Sequence, residues 1–113
     1  MRGAVVAFRA LEGEERKQAA LPVLRCALAD VQAGWCQGAM DDGTGRVSLY
    51  GAIATGRIES QYAREVLCEV LGEWNLIHWN DHPARRKAEV VQALRRAIAR
   101  AGLHLRRGGW RCA

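Results

Sequence analysis

Apolar residues recur along this chain at helical spacing in three stretches. Leu21, Leu24, Leu28 and Val31 lie three or four apart, the spacing of a helix that buries one face. Ahead of them, Gly13 to Gln18 is polar with acids before bases, an order that suits the helix dipole. Pro22 then either kinks this helix or stands in the first turn of a second. Gly34 is expected to end it in the left-handed conformation. A second stripe, Ala63, Val66, Leu67, Val70 and Leu71, follows Ser60 as N-cap and stops at Gly72. A third comprises Ala84, Val91, Leu94, Ile98 and Ala101, widened by Val90 and Ala97 and closed by Gly102; Arg85, Glu89, Gln92, Arg96 and Arg100 cover its other side.

The stretches between are less regular. Ser48 to Gly56 is small and apolar and reads as a short, tightly packed helix, with a strand as the alternative. Gly51, Ala52 and Ala54 suit the close approach of a neighbouring helix. Asp41-Asp42-Gly43-Thr44-Gly45 is a turn by composition. It either closes a hairpin between 37–40 and 46–49 or simply joins two helices. Trp74-Asn75-Leu76-Ile77-His78-Trp79 is an apolar connector whose two tryptophans and two aliphatics are expected inside. The fold expected is all-α, a compact bundle of about four helices, with a small β-hairpin around residues 37–49 as a variant. The chain reads as one domain over 1–113, with a variable segment at 1–20 and a basic, mobile tail at 103–113.

Composition narrows the class. A chain of 113 residues buries one core, at roughly 65% of its unfolded surface. No run of apolar residues is long enough for a membrane span. The opening Met1-Arg2-Gly3-Ala4-Val5-Val6-Ala7-Phe8-Arg9 is only faintly like a secretion signal, because its apolar part is short and ends at Arg9; a cytoplasmic protein is expected. Cys26, Cys36, Cys68 and Cys112 lack zinc-site spacing, and disulfides are not expected in the cytosol. Net charge is +5 and unevenly spread. Residues 85–113 hold nine basic residues against one acid, whereas residues 1–84 hold eight against eleven. A basic back end suggests an anionic partner, and it also permits pairing between the two halves of the chain.

Candidate chemistry is sparse. His78 and His82 lie four apart with Asp81 between them, but metal sites need three or four convergent ligands in regular geometry and Pro83 disturbs the turn, so no metal is expected, and no cofactor. Cys36 has no activating context for a thiolate nucleophile. The glycine-rich turn carries two aspartates that repel a phosphate. Glu65, Glu69 and Glu73 form a row that reads as a solvated helix face. Arg86, Arg95, Arg96, Arg100, Arg106, Arg107 and Arg111, with Trp110 to stack on a base, form a candidate nucleic-acid surface, although charge runs more often serve solubility.

Three segments in order resemble a family. They are Gly34-Trp35-Cys36-Gln37-Gly38-Ala39, Leu49-Tyr50-Gly51-Ala52-Ile53, and Trp79-Asn80-Asp81 with Glu89-Val90. Over residues 21–101 the chain looks like a small uncharacterised bacterial and phage family, a domain of unknown function. The resemblance implies a mostly helical fold and no known activity. This chain departs from it at Ser48, where the family often has cysteine, and at Ala84-Arg85-Arg86, where it often has Gly-Arg-Thr. Arg86 thus replaces a capping threonine, so the last helix is expected to start earlier, with Pro83 in its first turn and Asn80 or Asp81 as its cap. Trp35, Gln37, Trp79, Asn80 and Asp81 are the candidates for binding a partner or ligand. The function expected is macromolecule binding without catalysis, in a bacterial or phage setting, with another protein as partner; inhibition of a host defence complex, as by an anti-CRISPR protein, suits the small size. Nucleic-acid binding is the alternative, and a small enzyme centred on Asp81 a weaker one.

Overall fold

Among residues 14–102, which the computed structural model describes, five helices follow one another. They are α1 (Glu14–Ala33), α2 (Leu49–Ile53), α3 (Ile58–Leu71), α4 (Leu76–Asn80) and α5 (Lys87–Ala101). The fold is all-α. The long helices α1, α3 and α5 pack on one another, and the two single-turn helices pack as a pair, with α2 also lying against α1. The segments 1–13 and 103–113 lie outside the described residues, and with them the tail residues Arg106, Arg107, Trp110 and Arg111. No helix among the described residues is long and apolar enough to cross a membrane.

Pro22 neither ends α1 nor opens a second helix; it sits inside one helix of 20 residues. Its ring lies on the exposed side, while Ala20, Leu21, Leu24, Ala27 and Val31 run along a fully buried stripe. Burying Leu21, Leu24 and Val31 contributes about 1.5–3 kcal/mol each. Together that exceeds the roughly 3 kcal/mol that a mid-helix proline costs. The end of α1 is tied down from elsewhere: Gly34 N–H donates to Asp30 O at 3.1 Å, and Lys87 Nζ, on the first residue of α5, donates to Gln32 O at 2.8 Å. Gly34 is not left-handed.

Two helix starts differ from expectation. Ser60 does not cap α3; its hydroxyl accepts from Thr55 N–H at 2.9 Å, and the helix begins at Ile58 behind Arg57. Asn80 and Asp81 do not cap α5, and Pro83 lies outside it. That helix starts at Lys87, with Arg86 in the extended N-cap conformation. Glu89 supplies what the missing threonine does not, because its Oε1 accepts the Arg86 N–H at 2.9 Å. This bond, with Arg85 and Arg86 nearby, holds the Glu89 carboxyl below its usual range. Gly72 does end α3 as expected, at φ 67°.

The expected acidic row is split, with Glu65 and Glu69 on α3 and Glu73 beyond its Gly72 end, and it is not simply solvated. Glu65 pairs with Arg16, Glu69 with Arg100 at 2.8 Å, and Glu73 accepts the Asn75 N–H at 3.0 Å. Arg96 also reaches α3, donating to Val70 O at 3.0 Å. Part of the charge asymmetry is thus spent within the fold, between α5 and α3.

Residues 35–47 form a loop closed by single bridges rather than a hairpin, and the described residues contain no strand. Val47 pairs with Trp35 in one direction and Asp41 in the other. Cys36 N–H donates to Val47 O and Val47 N–H to Gly34 O, each at 3.0 Å. Asp42 organises the tip. Its Oδ1 accepts the Thr44 hydroxyl at 2.6 Å and the Thr44 N–H at 2.9 Å, and its Oδ2 accepts Arg46 Nε at 2.6 Å. The two Thr44 bonds, then Arg46, hold the carboxyl down at about 2.

α2 is the short helix expected, capped by Ser48, whose Oγ accepts the Gly51 N–H at 3.0 Å. What approaches Gly51 is not a helix but the Met40 carbonyl of this loop. A Cβ on Gly51 would fall 2.2 Å from that oxygen, which also accepts the Ser48 N–H at 2.9 Å.

Gly51→Ala is therefore expected to destabilise the protein by about 1–3 kcal/mol, the usual cost of overpacking, in urea denaturation; an unchanged midpoint would contradict the contact. The loop tip should also respond to acid. A depressed carboxyl contributes stability above its ordinary value near 3.8 and loses it as pH falls through about 2. Amide resonances of Thr44 and Arg46 should titrate with a midpoint near 2, and Asp42→Asn should abolish that transition.

Candidate functional site

The five partner- or ligand-binding candidates meet in one place. Asn80 closes α4 and is completely buried, at 0% exposure. A buried primary amide wants two acceptors and two donors as partners, and all four bonds are made. Asn80 Oδ1 accepts Trp35 Nε1–H at 2.7 Å and Leu49 N–H at 3.0 Å. Asn80 Nδ2 donates to Cys36 O at 3.2 Å and to Asp81 Oδ1 at 2.9 Å. Gln37 adds two bonds from Nε2, to Asn80 O and His82 O, each at 2.9 Å. Asp81 Oδ1 also accepts the Gly38 N–H at 3.0 Å. Residues more than forty positions apart are stitched by side chain to backbone, and their polar groups point at one another.

Trp79 flanks this hub. It is half-buried, and the Arg85 guanidinium lies 3.9 Å from its ring centre. Arg85 Nε also donates to Trp79 O at 2.8 Å. Cation–π stacking of this kind holds the turn before α5 against the core.

The other chemistry weighed from sequence does not assemble. Among the described residues no three His, Cys, Asp or Glu side chains come together as a metal site. His82 Nδ1 accepts the Ala84 N–H at 3.0 Å. The Cys36 thiol is pushed up by desolvation and by Asp42, the opposite of the shift that activates a thiolate. The basic candidates within the described residues are all exposed; Arg96 and Arg100 reach across to α3, Arg95 lies on α5 and Arg86 is its N-cap.

A different face carries what the sequence did not single out. Trp74, expected inside, is 75% exposed, and Ile77 is 52% and Met40 48% exposed. The backbone beneath Trp74 is pinned. Cys68 Sγ lies 3.7 Å from its carbonyl, and the next residue, Asn75, caps α4 by accepting the His78 N–H at 2.9 Å. Met40 is fixed through its carbonyl, as described above. A surface hollow of about 480 Å³ runs between Trp74, Ile77, Tyr50 and Arg64. Ile77 is shared with a smaller hollow of about 160 Å³ that includes Met40 and Asp81. Tyr50 and Arg64 are shared with a third, of about 410 Å³, lined also by Arg57 and Gln61. The hollows are linked in series by these shared side chains, Ile77 on one side of the Trp74 hollow and Tyr50 and Arg64 on the other, and are called the groove below. A single-turn helix explains the miss: α4 has one covered side, so Leu76 and Asn80 go in and Ile77 is left out.

Removing the Asn80 amide is expected to be costly. Asn80→Ala leaves the Trp35 and Leu49 N–H groups without their acceptor, at about 1–3 kcal/mol each. Urea denaturation should register a loss of about 2–4 kcal/mol; a loss well under ~1 kcal/mol would mean that the hub does not hold the fold.

Residues 15–100 match a family of unknown function (DUF6197). No curated protein and no solved structure matches the chain. The match takes in nearly all of the helical core, from α1 to α5, and the chain belongs to this family of unknown function.

Proposed function

We propose that this protein is a docking module that binds another protein through the face bearing Trp74, Ile77 and Met40, and that it works without catalysing a reaction. The observation that carries this reading is that, of the four large apolar residues exposed among the described residues, three line the linked hollows around Ile77. Exposed apolar side chains are ordinary singly; contiguous ones mark interaction sites. Burying the Trp74 ring against a partner removes on the order of 150 Å² from water. At about 25 cal/mol per Å² that is roughly 4 kcal/mol of gross driving force. An exposed ion pair contributes about 0–1 kcal/mol, so the apolar anchor dominates. Because the backbone under the anchor is pinned, little conformational entropy is lost on binding. The polar cluster around Asn80 supports the non-catalytic part, since its donors and acceptors satisfy one another.

The test compares the full chain with a Trp74→Ser/Ile77→Ser variant in quantitative affinity capture from cells that naturally make the protein. Both side chains are exposed, so the variant should melt within about 0.5 kcal/mol of the wild type. A stoichiometric partner retained by the wild type and depleted at least tenfold by the variant, about 1.4 kcal/mol, is the expected result. Identical captured sets for the two proteins would end this reading.

A further inference from the structure

The groove is polarised, and its polarity specifies what fits. At one end Met40, Ala39 and Ile77 surround the small hollow, with Asp81 as the charged group beside them. In the middle stand Trp74, Ile77 and Tyr50. At the other end the lining turns basic and polar, with Arg64, Arg57 and Gln61. Arg64 belongs to both the middle and the basic hollow, so a cation lies next to the apolar anchors. Arg57 lies 3.4 Å from Glu59, an exposed contact that leaves the guanidinium largely open to water. The two guanidiniums come from the N-cap of α3 and, about two turns further on, from the helix itself, a rigid mount.

We propose that the occupant of this groove is an acidic amphipathic segment of a partner protein. Its apolar side chains seat against Trp74, Ile77 and Met40, and its carboxylates meet Arg64 and Arg57. This rests on the docking reading above and adds the chemistry and direction of the ligand. Charge complementarity sets the direction: carboxylates are favoured at the arginine end and repelled at the Asp81 end. Carboxylate–guanidinium pairing then supplies selectivity more than affinity.

Two other occupants fit less well. A single-stranded nucleic acid offers aromatic-stacking bases, but it carries a phosphate at every nucleotide and requires a cationic track along its length. Here the cations stand at one end and a carboxylate at the other. A second copy of this chain would have to bring acids of its own, and on α3 Glu65 and Glu69 are already paired with Arg16 and Arg100.

A random-peptide library selected on the full chain, with Trp74→Ser/Ile77→Ser as counter-selection, reads the preference directly. The expected pool combines aromatic or aliphatic pairs with Asp and Glu on one side, with acids outnumbering bases at least threefold. A synthetic peptide from the pool should bind at least tenfold more tightly than its Gln/Asn counterpart, and more weakly as salt is raised. Arg64→Gln/Arg57→Gln should erase that difference while leaving the neutral peptide's affinity unchanged, which separates recognition from loss of folding. Equal binding of the acidic and neutral peptides would overturn this inference while leaving the docking reading intact; an unchanged capture in the preceding experiment would sink the docking reading itself. Failure to select any sequence that discriminates the variant overturns the inference as well. So does an oligothymidylate that displaces the peptide with a steeper salt dependence, or a concentration-dependent dimer in light scattering that Trp74→Ser abolishes.

Discussion

The buried amide of Asn80 is the constraint from which the small half of this fold follows. An amide withdrawn from water needs all of its hydrogen-bonding capacity met inside. Four partners meet it here: the Trp35 indole, the Leu49 N–H, the Cys36 carbonyl and the Asp81 carboxylate. Each belongs to a different piece of backbone or an adjacent residue, so one side chain fixes the exit from α1, the start of α2 and the turn after α4 together. The Met40 carbonyl packed on Gly51 is the second stitch between the same loop and α2. Without these polar ties, two single-turn helices could not hold a place, since isolated helices of that length are unstable.

The other half depends on ordinary helix packing, and its charges follow from that. α5 lies beside α3, so its arginines meet Glu69 and the Val70 carbonyl, while Arg85 turns back onto Trp79. Such surface pairs contribute little stability each. Their consequence is electrostatic: a helix that reads as a basic strip from composition offers fewer uncommitted cations once folded. The docking groove proposed above lies away from α5, where α2, α4 and the 35–47 loop surround Trp74 and Ile77 and the start of α3 adds Arg57 and Arg64.

The long helices were legible because their apolar spacing is strong and their terminators are glycines. Gly72 ends α3 and Gly102 ends α5 as read. Capping was less legible, because a cap is defined by which backbone N–H lies within reach, and that is a tertiary outcome. Ser60 is a good cap by type, yet it serves Thr55. Arg86 is a poor cap by type, yet α5 begins there because Glu89 takes its N–H. Pro22 is a helix breaker by local rule, and the buried stripe on both sides of it overrides the rule. The five residues named as a site do come together, but as a structural hub whose polar groups are mutually satisfied. Trp74 carried no outward signal: a tryptophan in an apolar run reads as core, and only the path of the pinned backbone places it outside.

By itself, then, the sequence determined an all-α chain with three amphipathic helices, a short small-residue helix and a polar turn at residues 41–45. These rest on periodicity and residue type, which are local. The tertiary structure decided which polar groups face inward, where α3 and α5 start, that α5 spends two arginines on α3, and that Trp74, Ile77 and Met40 share one exposed groove beside Arg64. Those depend on distances between residues far apart in the chain, and no local pattern encodes a distance.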